Sequence, residues 1–98
     1  MAGVSPRLER RIRRDFPSPG SANGVLALLA RLAEGSYDPR MLASERVQAG
    51  IVLVAGGDRR RLRDAIGLAA TDWRDLLVWA DLADADWPAR LDRALGPP

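Results

Sequence analysis

The stretch that decides the fold runs from Ser44 to Asp58 and reads Ser-Glu-Arg-Val-Gln-Ala-Gly-Ile-Val-Leu-Val-Ala-Gly-Gly-Asp. Its β-branched part, 50–55, is followed by two glycines, a pattern typical of a buried parallel strand. The preceding residues, 44–49, are compatible with a helix and run straight into it. No second candidate strand occurs in the chain, and a lone strand would leave its backbone groups unpaired. We therefore predict a buried helix here.

Apolar residues at helical spacing organise the rest of the chain, and proline, glycine and capping residues separate the segments. The predicted helices begin at or near Ser5, Ala22, Asp38, Asp58, Thr71 and Asp86. We expect the second helix to bury a stripe made of Val25, Leu28, Leu29 and Leu32. Gly50 and Gly67 lie inside predicted helices, where close approach of a neighbouring helix would explain them.

The pattern predicts an all-α fold, a compact bundle of about five to six short helices. We expect the 98 residues of the chain to form a single domain. Residues 1–20 are expected to form a basic N-terminal helix with a Pro/Ser/Gly linker, Pro17–Ser21, and residues 21–98 the core bundle. Residues 1–14 lack the apolar core of a signal peptide, and the longest apolar run is too short to cross a bilayer. We expect a cytoplasmic protein.

The composition lacks the residue types that most catalytic sites use. Cysteine and histidine are absent from the sequence. Disulfides, thiolate zinc sites, cysteine nucleophiles and the usual neutral-pH general base are therefore excluded. The serines and Thr71 have only carboxylates as candidate bases, and Gly56-Gly57-Asp58 lacks the lysine and hydroxyl of a phosphate-binding loop. We predict a protein that is not an enzyme and uses no cofactor or metal.

The predicted fifth helix is apolar in two directions. On a 100° wheel its core face collects Trp73, Leu76, Leu77, Ala80 and Ala83. Val78, Trp79 and Leu82 form a second apolar direction, which a surface helix should not have. Either this helix is the central element of the bundle, or its second face is a contact surface. We predict a regulatory or adaptor protein that acts by protein–protein interaction through Val78, Trp79 and Leu82, with an unknown partner or a second copy in a homodimer.

Two arginine clusters support an alternative, a small DNA- or RNA-associated regulator. They comprise Arg7, Arg10, Arg11, Arg13 and Arg14, and Arg59, Arg60, Arg61 and Arg63. Guanidinium groups suit phosphate contacts. Against this, the net charge is only +2, and neither cluster has interleaved aromatic or amide side chains to read bases. Codon bias in a GC-rich genome would also explain why every basic residue of the chain is an arginine. Nucleic acid is therefore the less favoured partner, and no membrane contact is expected.

Three segments carry a resemblance to known proteins. They are Glu45–Asp58, quoted above, Thr71-Asp-Trp-Arg-Asp-Leu-Leu-Val78 and Asp86-Trp-Pro-Ala-Arg-Leu-Asp92. Together they resemble small uncharacterised helical proteins of high-GC actinobacteria, over roughly the C-terminal two-thirds of the chain. The resemblance implies a bacterial cytoplasmic protein and supports the GC account of the arginines. It brings no activity or site residue.

Overall fold

The structure, a computed structural model, describes residues 4–98. Helices make up 74% of this part of the chain, and no strand occurs in it. The all-α prediction is confirmed, although the structure has seven helices instead of five to six. The helices are α1 (Pro6–Asp15), α2 (Pro19–Glu34), α3 (Pro39–Leu42), α4 (Glu45–Ala55), α5 (Arg59–Thr71), α6 (Trp73–Trp79) and α7 (Trp87–Leu95).

The centre of the bundle is α4, the segment that could have been a strand. It begins at Ser44, whose hydroxyl accepts a hydrogen bond from the Val47 N–H at 3.3 Å, and it ends at Gly56 in the left-handed conformation, φ 53°. Its β-branched residues Ile51 and Val52 are fully buried. The helix packs on α5, α6, α1, α3 and α7. The hypothesis that the helix carrying Trp73 and Trp79 is central is therefore wrong.

The extra helix arises because the predicted third helix breaks at Ala43 and Ser44. The hydroxyl of Ser44 donates to the carbonyl of Met41 at 2.6 Å and also caps α4. Serine competes in this way with helical hydrogen bonds, and it is a preferred N-cap. The break leaves the four-residue α3 as a separate helix. Its N-cap is Asp38, whose carboxylate accepts a hydrogen bond from the Met41 N–H at 3.2 Å.

The N-terminal helix belongs to the core. Leu8 and Ile12 are fully buried, and Phe16 is 3% exposed. Helix α2 begins at Pro19, inside the expected linker Pro17–Ser21, because proline at the first helical position lacks only an N–H that would be unpaired anyway. Leu28, expected on the buried stripe of α2, is 37% exposed, because Ala22, Val25, Leu29 and Leu32 make that stripe instead.

Helix α6 begins one residue later than expected. Thr71 is the last residue of α5, and its hydroxyl donates to the Gly67 carbonyl at 3.0 Å. Asp72 is the N-cap, since its carboxylate accepts from the Arg74 N–H at 3.0 Å. An aspartate in this place also complements the positive end of the helix dipole. The last helix, α7, does begin after Asp86, as predicted.

Close packing explains Gly50 but not Gly67. A Cβ atom on Gly50 would lie 2.9 Å from Leu76 Cδ1 and 3.3 Å from Ala80 Cβ, so the glycine allows α6 to approach α4. A Cβ atom on Gly67 would meet nothing within 4 Å. The explanation by close approach is confirmed for Gly50 and wrong for Gly67.

Candidate protein-interaction surface on α6

Helix α6 has one buried side and one exposed side. Leu76 and Leu77 are 0% and 2% exposed and fasten the helix to the core. Val78 is 68% exposed and Trp79 is 48% exposed. Arg74 and Asp75 are exposed as well. We call the surface formed by Arg74, Asp75, Val78 and Trp79 the α6 face.

Leu82 is not part of this surface. It is 2% exposed, because the helix ends at Trp79 and the chain reverses at Asp81, whose φ is 61°. The Leu82 N–H donates to the Leu77 carbonyl at 2.9 Å and the Asp81 N–H to Val78 at 3.2 Å, the bonding pattern of a Schellman motif. The turn carries Leu82 back over Gly50, where its Cδ1 would lie 3.7 Å from an added Cβ. The helical-wheel prediction is wrong for Leu82 because it assumes that the helix continues to Ala83. It is wrong for Ala83 as well, since that residue is exposed.

The three tryptophans have different environments. Trp73, expected in the core, is half-buried against it, and its ring N–H donates to Asp38 at 3.3 Å. The Arg74 guanidinium lies 4.8 Å from the centre of the Trp73 ring. Trp87, on α7, is half-buried, and the Arg46 guanidinium lies 4.7 Å from the centre of its ring. Trp79 is the one indole of the three that is exposed.

The turn after α6 is held in place from α4. Arg46 donates to the carbonyl of Leu82 at 2.9 Å and to that of Ala83 at 3.2 Å while stacking on Trp87. A cavity of about 270 Å³ lies beside Val78 and is lined by Arg46, Trp73, Arg74, Leu77, Val78 and Ala83. The α6 face is thus a fixed surface on a supported helix.

The N-terminal arginine cluster is largely used inside the fold. Arg7, 7% exposed, forms a bidentate pair with Glu45 at 2.7 and 2.9 Å and also binds Asp92 at 2.6 Å and the Gly96 carbonyl at 2.9 Å. It joins α1 to α4 and α7. The Arg7 guanidinium, followed by the Ser5 hydroxyl, lowers the pKa of Glu45, while the two carboxylates raise the pKa of Arg7.

Other arginines of α1 also have acidic partners. Arg11 pairs with Asp15 at 2.9 Å and donates to the Ala94 carbonyl at 3.1 Å. Arg13 pairs with Glu9 at 3.1 Å, and Arg14 lies 3.5 Å from Asp15. Arg10 is exposed and takes part in no ion pair within residues 4–98. The structure therefore leaves few free cations on α1 for phosphate contacts.

The second cluster, on α5, remains free. Arg59, Arg60, Arg61 and Arg63 are all exposed, and none pairs with a carboxylate in the part of the chain that the structure describes. The helix N-terminus itself is occupied, because Asp58 accepts from the N–H groups of Arg60 and Arg61 at 2.8 and 3.1 Å. These two bonds lower the pKa of Asp58.

A groove between α2 and α5, not anticipated from the sequence, lies next to the α5 cluster. It consists of two adjoining cavities of about 530 and 290 Å³ that share Leu28 and Arg31. Its lining residues include two sets at the same spacing of i, i+4, i+7 and i+11, one on α2 and its C-cap and one on α5, a pattern that could have signalled it. These are Gly24, Leu28, Arg31 and Gly35, and Arg59, Arg63, Ile66 and Ala70. We call it the α2–α5 groove.

Between Val4 and Pro98 no cluster of three or more acidic side chains is placed to hold a metal ion. Every buried side-chain nitrogen or oxygen in that range has a hydrogen-bond partner. No helix within it has the length and apolarity to cross a membrane.

Comparisons with protein-family models, with curated proteins and with solved structures gave no match to this chain.

Proposed function

We propose that this chain acts by protein–protein contact through the α6 face and performs no chemistry of its own. The observation that carries the proposal is the exposure of Trp79, 48%, next to Val78, 68% exposed. Large aromatic side chains at the surface are concentrated in protein interfaces, where tryptophan contributes a disproportionate share of the binding energy. The proposal places the protein in the cytoplasm, as the sequence predicts.

The support beneath the α6 face favours rigid docking. Leu76, Leu77 and Leu82 hold the helix from below, so a partner can cover Trp79 without refolding it. Preformed surfaces of this kind bind with a small entropic cost. Arg74 and Asp75 provide a polar rim beside the two apolar side chains, as in ordinary interfaces.

The roles of the carboxylates support the non-enzymatic part of the proposal. Asp58 and Asp72 cap helices, Glu45 and Asp92 bind Arg7, and Asp15 binds Arg11. A general acid or base must be free to exchange a proton with a substrate. These carboxylates are engaged in holding the fold.

Affinity capture tests the proposal. The tagged parent, Trp79→Ala and the control Arg10→Ala are expressed in the organism of origin, and the bound proteins are identified by mass spectrometry. We expect the parent and Arg10→Ala to retain the same protein, either another copy or a different chain, and Trp79→Ala to lose it. Equal retention by all three would refute a role for the α6 face.

A second function, nucleic-acid binding, is favoured by one observation: the four exposed arginines of α5 have no carboxylate partner within residues 4–98. Arg60→Ala with Arg61→Ala would then weaken binding to duplex DNA or single-stranded RNA and reduce its salt dependence. Fluorescence anisotropy with labelled oligonucleotides at low salt measures this. Absence of binding by the parent removes this second function and leaves the first intact.

A further inference from the structure

We infer that the α2–α5 groove is a second contact surface, which binds an acidic amphipathic helix of a partner protein. The inference goes beyond the proposed function, because the groove and the α6 face share no residue. It is carried by two observations: the arginines that line the groove lack acidic partners, and apolar side chains are exposed beside them.

The charge of the groove favours an acidic occupant. Arg31, Arg59 and Arg63 line it, all three are exposed, and none has a carboxylate partner in residues 4–98. The acidic residues of the two helices, Glu34 and Asp64, lie outside the lining. An uncharged occupant would remove water from three unpaired charges at a high cost in free energy. Carboxylates on the occupant offset that cost by pairing with the guanidiniums.

The arginines of the two helices lie along one groove. A Cβ atom on Gly24 would lie 3.9 Å from the Nη2 atom of Arg59, so this guanidinium reaches across from α5 to α2. Arg31, on α2, lines both cavities. A single bound segment can therefore pair with arginines from both helices.

Apolar side chains are exposed in the same groove. Leu28 lines both cavities and is 37% exposed, Tyr37 is 59% exposed, and Ile66 is half-buried. Four large apolar side chains are exposed in residues 4–98; Leu28 and Tyr37 are two of them, and the others are Val78 and Trp79 of the α6 face. A phosphate backbone would leave the groove side chains uncovered, whereas the apolar side of an amphipathic helix would bury them. The groove therefore favours a peptide over a nucleic acid.

The groove accommodates about three turns of helix. Its lining positions on α5, from Arg59 to Ala70, span eleven residue steps, about 17 Å at the helical rise of 1.5 Å per residue. An extended peptide would lose partners for its N–H and C=O groups on burial, because residues 4–98 contain no strand whose edge could pair with it. A helix satisfies these groups internally and presents side chains at i, i+3 and i+4 on one face.

The groove also sets the order of side chains along the occupant. Arg59 and Arg63 line the smaller cavity. The larger cavity contains one arginine, Arg31, and is lined by Tyr37 and Ile66 as well. The bound helix therefore carries its carboxylates toward one end and its large apolar side chains toward the other.

Selection from a peptide library tests the inference. Random peptides of about 16 residues, roughly four helical turns, are displayed on phage and selected on the purified full chain. We expect the enriched sequences to share aspartate or glutamate near one end and apolar residues at the spacing i, i+3, i+4 and i+7. The most enriched peptide is then labelled, and its dissociation constant is measured by fluorescence anisotropy.

Substitutions in the groove locate the binding site of that peptide. Arg63→Glu and Leu28→Asp should each raise its dissociation constant about tenfold or more, because the first removes a partner of the carboxylates and both add a like charge. Arg61→Glu is the matched control, since it makes the same charge change on the same helix outside the groove, and Trp79→Ala is the control for the α6 face. Both controls should stay within about threefold of the parent, because exposed charges away from the site are screened by salt. Circular dichroism melts check that each variant is folded.

The outcomes separate this inference from the proposed function. If no acidic amphipathic sequence is enriched, or if Arg61→Glu and Arg63→Glu weaken binding equally, the groove is not a peptide site, and the role of the α6 face is unaffected. A peptide that Trp79→Ala releases and Arg63→Glu retains supports the α6 face and overturns the groove.

Other occupants of the groove give their own results. Duplex DNA or single-stranded RNA that binds more tightly than the enriched peptide and displaces it would assign the groove to nucleic acid and overturn the inference. Self-association of the parent in analytical ultracentrifugation that Arg63→Glu abolishes and Arg61→Glu preserves would make the occupant a second copy, which also overturns a separate partner.

Discussion

Replacing Gly50 and Gly67 separately by alanine isolates the effect of packing between α4 and α6. Both glycines lie inside helices without a positive φ, so each substitution gains the same helix propensity, about 0.5–1 kcal/mol. At Gly67 the new methyl group meets nothing within 4 Å. We therefore expect Gly67→Ala to raise the free energy of unfolding by about 0.5–1 kcal/mol.

At Gly50 the gain is outweighed by overpacking. The added Cβ would lie 2.9 Å from Leu76 Cδ1, which can turn away, and 3.3 Å from Ala80 Cβ, which moves only with the backbone. Inserting a methyl group into a packed core costs about 1–3 kcal/mol. The net result for Gly50→Ala is a loss of about 1 kcal/mol.

The difference between the two variants is the informative quantity, because the propensity gain cancels from it. It should be about 1–3 kcal/mol, a separation of melting temperatures of at least about 4–8 °C for a domain of this size. Urea unfolding followed by circular dichroism measures both variants against the parent. If both substitutions stabilise the protein equally, the close approach of α6 to Gly50 does not exist, and the placement of Leu82 above it falls as well.

Two further predictions concern the Arg7–Glu45 pair and the tryptophans. Because Arg7 lowers the pKa of Glu45, the stability that this carboxylate contributes is full above its unfolded pKa of about 4.3 and is lost as the pH falls through the folded value. Glu45→Gln should lower the free energy of unfolding by about 1–3 kcal/mol at pH 7. Urea titrations should show that this difference between variant and parent shrinks below about pH 4, and a difference independent of pH would contradict the ion pair. Trp73→Ala should cost about 3 kcal/mol, the lower end of the range for buried rings because Trp73 is only half-buried, whereas Trp79→Ala should change the stability of the monomer by less than about 0.5 kcal/mol. Thermal melts at low concentration compare the two, and equal losses would show that Trp79 also stabilises the core.

Local sequence determined the helical class and many helix ends. The capping residues Ser5, Asp38 and Asp58 mark helix starts because each boundary depends on bonds within a few residues. Asp86 precedes α7 as predicted, although its carboxylate binds Arg90 instead of capping the helix. The helical state of Ile51–Val54 also followed from sequence, by the absence of any strand to pair with it. The internal break at Ser44 was missed, because a serine is compatible with either a helix interior or a cap, and the local pattern does not choose between them.

The candidate site could be predicted only in part. Val78 and Trp79 were identified by their spacing and are exposed, since helical periodicity fixes which side chains oppose Leu76 and Leu77. The burial of Leu82 depends on a left-handed turn at Asp81, which no glycine signals. Leu82 then packs over Gly50, a residue more than thirty positions earlier.

The sequence by itself determined the helical class and the buried positions of most helices, because helical periodicity repeats over three or four residues. The tertiary structure decided which helix is central, which arginines are free and where a groove opens. These properties depend on contacts between distant segments: Arg7 reaches Glu45 and Asp92 across the fold, and α2 and α5 form the groove together. Ion pairs between distant segments and grooves between helices arise from the relative placement of whole helices, which the packing of the core sets and no local pattern records.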